Sequence, residues 1–552
     1  MPSPVPPRKP DEDIFTAQIV PDPEELLKRE HTLNGGILFG LDGHIVEIQA
    51  RAMSVLDEPT PWHHATKISG MARGAISESL DRIAGSFSKI GFPSTEVSIL
   101  VNLVPADLPK DGTWLDLPLA IILLQAAGHL PDLPEHREGD FILVGELGIH
   151  GEIRRVPGIL SLAMKAKPGQ KLIVPTGNEK ECALILAKPG HKDCGVYPVS
   201  LLSEVVDFFQ GRRKLDNVFK QGGIHFEHAI EKAPDFGLIR GHAAAKEAAY
   251  ICAAGGHNLL LIGPPGEGKS LLASALPGIL PRLNDEERVE LTKIYSASGD
   301  LARDGLAVSR RPMRSIHSTI SKPALIGGGS GIPKPGEITK AHLGVLFLDE
   351  IAEFSAATLD ALRQPIESGE ITVSRAGASF TYPCRFTLVA AMNPCPCGYY
   401  GTDKCRCKKS EIKKYQAKIS GPIVDRIDLQ VEMHRLSMEE RFAETASTES
   451  PKIRAMVEEA RNRQTKRFAG TGIAYNAAIP GGQVIKYCNF SVSGFEKHKE
   501  TVSSHSLSTR SMDRMAKVAR TIADLVGSEQ IDPPHVTKAA TFVVGGMLRD
   551  AF

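Results

Sequence analysis

Several things are scarce in this 552-residue chain, and each scarcity closes off a class of explanation. Cysteine is rare, with nine residues, too few for a disulfide scaffold. Net charge is absent, since Lys+Arg and Asp+Glu are both 65. No global field therefore announces a nucleic-acid or membrane partner, and any such partner must be met by local patches. Long apolar runs are missing too: the longest, Leu115 to Ala127, is interrupted by Asp116 and Pro118 and is too short to span a bilayer. The opening MPSPVPPRKPDEDIF carries charge and proline but no apolar h-region, unlike a secretory signal. There is neither an internal repeat nor a long low-complexity tract. A cytoplasmic protein with no membrane partner is expected.

What is present is ordinary for a folded chain, 42% hydrophobic and 24% charged. The length predicts about three or four domains. Residues 1–30, Pro-rich and charged, read as a flexible tail. Over 31–212, short β-branched runs alternate with helical patterns. Glu96 to Val104, Phe141 to Val144 and Lys171 to Val174 read as strands, with helices at about 72–89, 117–128 and 158–167. The polar stretch 213–234 reads as a linker, 235–436 as a second α/β unit, and 437–552 as mainly helical, weakly interrupted at Ala446 to Pro451.

The strongest motif is Gly263-Pro264-Pro265-Gly266-Glu267-Gly268-Lys269-Ser270. An apolar run, Asn258 to Ile262, precedes it, and a helical run, Leu271 to Leu276, follows. Glycines let backbone N–H groups turn inward to cradle phosphates at a helix N-terminus. Lys269 is placed to reach the β- and γ-phosphates of ATP, and the Ser270 hydroxyl to ligate Mg²⁺. A second apolar strand, Val345 to Leu348, ends in Asp349-Glu350, a pair suited to the Mg²⁺ shell and to orienting an attacking water. A third, Thr387 to Met392, ends in Asn393, which either positions water at the γ-phosphate or simply opens an Asn-Pro turn.

The order P-loop, Asp-Glu, Asn resembles the sensor-bearing AAA+ ATPases. Gly255 to Gly266, Leu325 to Ser330 with Pro335 to Ile338, Gly344 to Ile351 and Ser420 to Asp428 narrow the likeness to magnesium-chelatase-related ATPases, most closely the ComM (YifB) group, from about residue 31 onward. The resemblance implies a homo-oligomeric ring, usually a hexamer, with ATP between subunits. It makes Arg426 a finger into the neighbouring subunit's ATP, against the plainer reading of an ion pair with Asp425 or Asp428. It makes Arg510, in Leu507 to Ser511, a second arginine sensor on a C-terminal helical lid. It also implies two mechanical elements. Arg311 to Lys340 resembles the helix-2 insert, and Glu370 to Thr381 a hairpin with Arg375 near its tip. Lys334 and Arg375 are then candidate DNA phosphate contacts, or solvated loop charges.

Four cysteines, Cys395, Cys397, Cys405 and Cys407, fall close together in a segment, 395–407, inserted in the ATPase core. In a reducing compartment such clustering points to metal before disulfide, here one tetrahedral structural Zn²⁺, with free thiols as the alternative. Seven basic residues follow from Lys404 to Lys418 (Lys404, Arg406, Lys408, Lys409, Lys413, Lys414, Lys418) against one acid, Glu411. That is a nucleic-acid contact or an exposed helix face.

Val144 to Gly158, followed by Ile173 to Lys180, resembles the α+β Lon-protease fold, whose cleavage needs a Ser nucleophile activated by Lys. The nucleophile segment, Leu115 to Ala120, has no Ser, and Leu160 stands where the Lys is expected, with Lys165 out of register. The domain is read as proteolytically dead. Met71 to Gly74 departs from the family's usual Leu-Pro-Glu-like turn. The expected whole is thus an α/β protein: Lon-like domain, P-loop AAA+ core, helical lid. The motifs establish ATP hydrolysis. The ComM resemblance implies a motor on single-stranded or branched DNA, driving branch migration during transformation. The alternative is the ATPase subunit of a magnesium chelatase, inserting metal into a porphyrin.

Overall fold

The computed structural model describes residues 22–70, 74–110, 112–131, 140–186, 189–191, 193–218, 233–301, 307–329, 332–375, 378–419, 421–442 and 448–544, with the side chains of 74–77, 189, 375, 378, 421 and 422 excepted. The chain divides into two units. One comprises 1–229, 292–308 and 330–334, and the other 230–291, 309–329 and 335–552.

The first unit is built on a seven-stranded mixed sheet. Its order is Thr66–Ser69, Thr95–Val104, Asp42–Thr60, His31–Phe39, Phe141–Leu143, Lys171–Pro175, Gly195–Val199. Alternating burial along Thr95–Val104 is the period-two pattern that made this strand legible. His31–Phe39 and Asp42–Thr60, a long antiparallel pair, escaped the sequence reading because Gly35, Gly36 and Gly43 break the alternation. Gly43 is required there: a Cβ would lie 2.4 Å from the Leu162 backbone nitrogen. Helix Asp116–Ala126 is buried along its whole length against this sheet's core. The helix expected at 158–167 is shorter, Ile159–Ala163, and the expected tail holds a short helix, Pro23–Leu26, with Leu26 buried.

The second unit carries a five-stranded, wholly parallel sheet in the order Met313–Ile316, Val345–Leu348, Thr387–Met392, Leu259–Ile262, Leu429–Glu432. Its inner strands Leu259–Ile262 and Val345–Leu348 are short and fully apolar, as expected for a parallel sheet buried on both faces. Met313–Ile316 corrects the sequence reading, which placed it inside the insert Arg311 to Lys340. Met-Arg-Ser-Ile has no apolar period because it is an edge strand. The described residues of that segment also form two short helices, Lys322–Ile326 and Glu337–Lys340. The expected hairpin is present as Glu370–Arg375 paired with Ala378–Pro383. Among its described residues the C-terminal part is mainly helical. Helix Thr509–Val526 starts on the Ser508 side-chain cap, ends at Gly527 in the left-handed region, and buries Met515, Val518, Ala519 and Ile522.

Candidate functional site

Strand Leu259–Ile262 lies between Thr387–Met392 and Leu429–Glu432, so the loop that leaves its C-terminal end opens beside the end of a neighbouring parallel strand. Ligands in α/β sheets bind at such ends. Gly266 and Gly268 sit at φ 80° and 84°, a region that residues with side chains rarely adopt, and Gly268 caps helix Lys269–Ala275. Gly263 is glycine for space, since a Cβ would lie 2.4 Å from the Met433 carbonyl oxygen.

The loop and strand ends enclose a cavity of about 240 Å³ lined by Pro265, Gly266, Gly268, Lys269, Ser270, Leu271, Asp349, Glu350, Met392 and Asn393. Lys269 is buried, and its ammonium donates to the Gly263 and Pro264 carbonyls (2.6 and 2.7 Å) and to Asn393 Oδ1 (3.2 Å). Burial pulls its pKa below the ordinary lysine value, against the opposing pull of Asp349, Glu350 and Glu267. An incoming phosphate would replace carbonyl dipoles with full negative charge, which favours the protonated form. Ser270 Oγ donates to Asp349 Oδ2 at 2.9 Å, so the two oxygens suited to Mg²⁺ already converge. Asp349 Oδ1 accepts from the Glu350 N–H (3.0 Å), and Glu350 takes φ 52°, uncommon for a non-glycine residue, with its side chain exposed at the cavity. The set fits a magnesium nucleotide.

Not every P-loop residue faces that cavity. Gly263 and Pro264 act through their carbonyls. The Glu267 carboxylate is buried away from it, paired with Arg441 at 3.0 Å and accepting from the Leu436 N–H at 3.3 Å. A carboxylate facing the phosphates would repel them, and Arg441 keeps it aside. The motif alone gave no sign of this partner.

Arg426 and Arg510 do not line the cavity. Arg426 pairs with Glu367, not with the sequence-near Asp425 or Asp428. Asp425 instead lies 3.8 Å from Arg510, and Asp428 accepts from the Asn258 N–H at 3.1 Å. Arg426 thus sits within the turn 425–428 and Arg510 faces that turn through Asp425, neither of them lining this chain's own phosphate site.

The four cysteine sulfurs all lie within 4.8 Å of one another, with Cys395 to Cys397 at 3.4 Å, Cys395 to Cys405 at 3.9 Å and Cys397 to Cys405 at 3.8 Å. Zn–S bonds of about 2.3 Å in a tetrahedron put sulfurs about 3.8 Å apart, so the donor set fits zinc. Backbone N–H groups of Arg406 and Tyr399 draw the Cys397 thiol down to about 6, whereas desolvation and the neighbouring sulfurs push Cys405 and Cys407 up, so the geometry and not the titration carries the fit to zinc. The loop abuts the nucleotide site: Gly398 packs against Pro265, and Gln416 Nε2 donates to the Pro394 carbonyl at 3.0 Å. All seven basic residues are exposed, but Lys418 is engaged by Glu353 at 3.3 Å. Lys334 is also exposed, whereas the Arg375 side chain lies outside the described residues.

In the first unit, Asp116 lies in the segment Leu115 to Ala120, where Lon-type cleavage would need its nucleophile. It is fully buried, held by Arg82 at 2.8 Å and by the Leu147 N–H at 3.1 Å. A buried carboxylate saturated in this way attacks nothing.

Three family models match the chain: "Magnesium chelatase, subunit ChlI" over residues 235–441, "Subunit ChlI of Mg-chelatase" over 60–178, and "Magnesium chelatase, subunit ChlI C-terminal" over 447–542. The chain is 39% identical to the YifB protein of Salmonella typhimurium, across 86% of its own length and 90% of that protein. It is 38% identical to the competence protein ComM of Haemophilus influenzae, across 85% and 90%. Against the magnesium-chelatase 38 kDa subunit of Cereibacter sphaeroides, identity is 27% across 30% of this chain and 54% of that protein.

Proposed function

The chain belongs to the YifB/ComM family of ATPases with magnesium-chelatase-type domains, and from that premise we propose that it is an ATP-hydrolysing ring motor acting on DNA. The observation that carries this reading is the convergence of Lys269, Ser270, Asp349, Glu350 and Asn393 on one cavity in a chain aligned with ComM along most of its length. Lys269 binds the β- and γ-phosphates, Ser270 and Asp349 hold Mg²⁺, and Asn393 and Glu350 orient the water that attacks the γ-phosphate. Magnesium supplies charge neutralisation on the phosphates; the side chains supply position. Arg426 and Arg510, standing away from their own pocket, serve the pocket of the next subunit in a ring, expected to be a hexamer. Zinc on the four cysteines staples the basic loop, and Lys404, Arg406, Lys408, Lys409, Lys413 and Lys414 meet DNA phosphates. Lys334 and Arg375 are further candidates for that contact.

The relative named a competence protein directs the reading toward branch migration or unwinding of DNA during transformation and recombination. A chelatase ATPase subunit is the second reading, favoured by the descriptions of all three matched models. The N-terminal unit does not separate the two, because a ChlI-described model matches it as well. Coverage does favour the motor: the chelatase subunit aligns with less than a third of this chain. The test is ATPase turnover with single-stranded, duplex and four-way-junction DNA, together with strand displacement. Stimulation and displacement support the motor. Turnover indifferent to every DNA removes it.

A further inference from the structure

The turn that carries Arg426 is gripped from two sides. From the sheet, Asn258 uses its side chain and its backbone. Its Nδ2 donates to the Arg426 carbonyl (2.8 Å), its N–H to Asp428 Oδ2 (3.1 Å), and its carbonyl accepts from the Asp428 and Leu429 N–H groups (3.1 and 2.9 Å). Its Oδ1 accepts from Leu388 N–H (2.9 Å), at the start of the strand that ends in Asn393. From the lid, Arg514 donates through Nη1 to the Ile427 carbonyl (2.5 Å) and the Val424 carbonyl (3.3 Å), and through Nη2 to Ser511 Oγ (2.8 Å). Arg514 lies one helical turn after Arg510, on the same face of helix Thr509–Val526. A planar guanidinium bridging two carbonyls fixes orientation as well as distance, which a flexible ammonium does less well.

We propose that Arg514 is a positioning residue that locks Arg426 and Arg510 into one array presented to the neighbouring subunit's ATP. It touches no nucleotide; it ties the finger turn to the helix that bears the second arginine, so that the two move together. Without it, the turn keeps its hold on Asn258 and the Arg426–Glu367 pair, but the helix that bears Arg510 is tied to it by the long Arg510–Asp425 pair (3.8 Å), which fixes orientation poorly. The proposal rests on the ring reading above, in which Arg426 acts on the next subunit.

Complementation in mixed rings tests it. Arg514→Met should keep nucleotide affinity within about twofold and lose turnover by roughly tenfold or more, with KM for ATP little changed. Mixed 1:1 with Lys269→Ala, it should recover hydrolysis above either parent, because about one interface in four then joins an intact Lys269 to an intact Arg514. Mixed with Arg426→Ala it should recover nothing, since every subunit then offers a faulty finger. Recovery with Arg426→Ala, or none with Lys269→Ala, overturns the proposal, as does wild-type turnover in assembled Arg514→Met rings. If Arg514→Met does not assemble, Arg514→Gln carries the same mixtures, and full activity there also overturns it. Failure of both variants to assemble assigns Arg514 to the fold and overturns it too. The parent reading has its own control: Arg426→Ala mixed with Lys269→Ala must recover hydrolysis, and its failure removes the trans finger itself.

Discussion

Neutralising the basic loop gives a prediction whose size can be worked from the structure. Lys408, Lys409, Lys413 and Lys414 are exposed, and none has an ion-pair partner among the described residues, whereas Lys418 is held by Glu353. Each lysine on a DNA phosphate releases condensed counterion, worth about 0.7 in the slope of log K against log salt for single strands and about 0.9 for duplex. Changing all four to Gln should therefore flatten that slope by up to about 2.8 on single strands and about 3.6 on duplex, and weaken binding by up to roughly 10³- to 10⁴-fold at 0.1 M salt. Glutamine matches lysine in helix propensity, so helix Lys409–Gln416 should survive and thermal unfolding should barely move. Lys418→Gln is the internal contrast, expected to change the slope less than any one of the four because Glu353 competes with a phosphate for its charge. The assay is fluorescence anisotropy with labelled single-stranded and junction DNA over a salt series. An unchanged slope and affinity in the quadruple variant would refute the assignment of this loop to DNA, and an equal effect from Lys418→Gln alone would refute the ion-pair argument.

Lys269→Ala should abolish nucleotide binding, while Glu350→Gln should bind ATP and barely hydrolyse it, checked by a fluorescent nucleotide and phosphate release; substantial turnover in Glu350→Gln would remove the water-orienting role. Arg426→Ala should still bind ATP and lose turnover by roughly 10³-fold or more, read by the same pair of assays. Purified protein should carry about one Zn²⁺ per chain by elemental analysis, lost on acidification or strong chelation because thiolate binding competes with protons. Cys405→Ser should lower DNA-stimulated ATPase more than basal ATPase, and zinc-free protein prepared without chelators would end the metal claim.

The parts of the site that were legible in the sequence are the parts encoded by short spacing. Gly266 and Gly268 are written into the P-loop because a left-handed backbone admits little else. Asp349 and Asn393 were found because each follows a short run of apolar residues, the signature of a buried parallel strand end. The cysteine cluster was equally local, and its sulfurs do converge. The fold class followed from the same signals. What failed was whatever lacked a period: Met313–Ile316 at a sheet edge, and the glycine-interrupted strands His31–Phe39 and Asp42–Thr60.

Long-range polar partners were illegible for a different reason. Sequence reasoning offered Arg426 the acids beside it, yet neighbours on one turn point in different directions, and Glu367 on another helix takes the pair. Once Arg426 reaches Glu367, Asp428 is free to accept from the Asn258 N–H and Asp425 to face Arg510, so one tertiary contact decides three pairings. Glu267 behaves likewise: its place inside the P-loop suggests a role at phosphate, but Arg441 turns it away. Glu367 is exposed while Arg426 is largely covered, so exchanging this carboxylate for a more highly charged phosphate carries little penalty on the Glu367 side. The Arg426–Glu367 pair is thus compatible with a finger resting between encounters, and Glu367→Gln should leave turnover near wild type while Arg426→Ala does not.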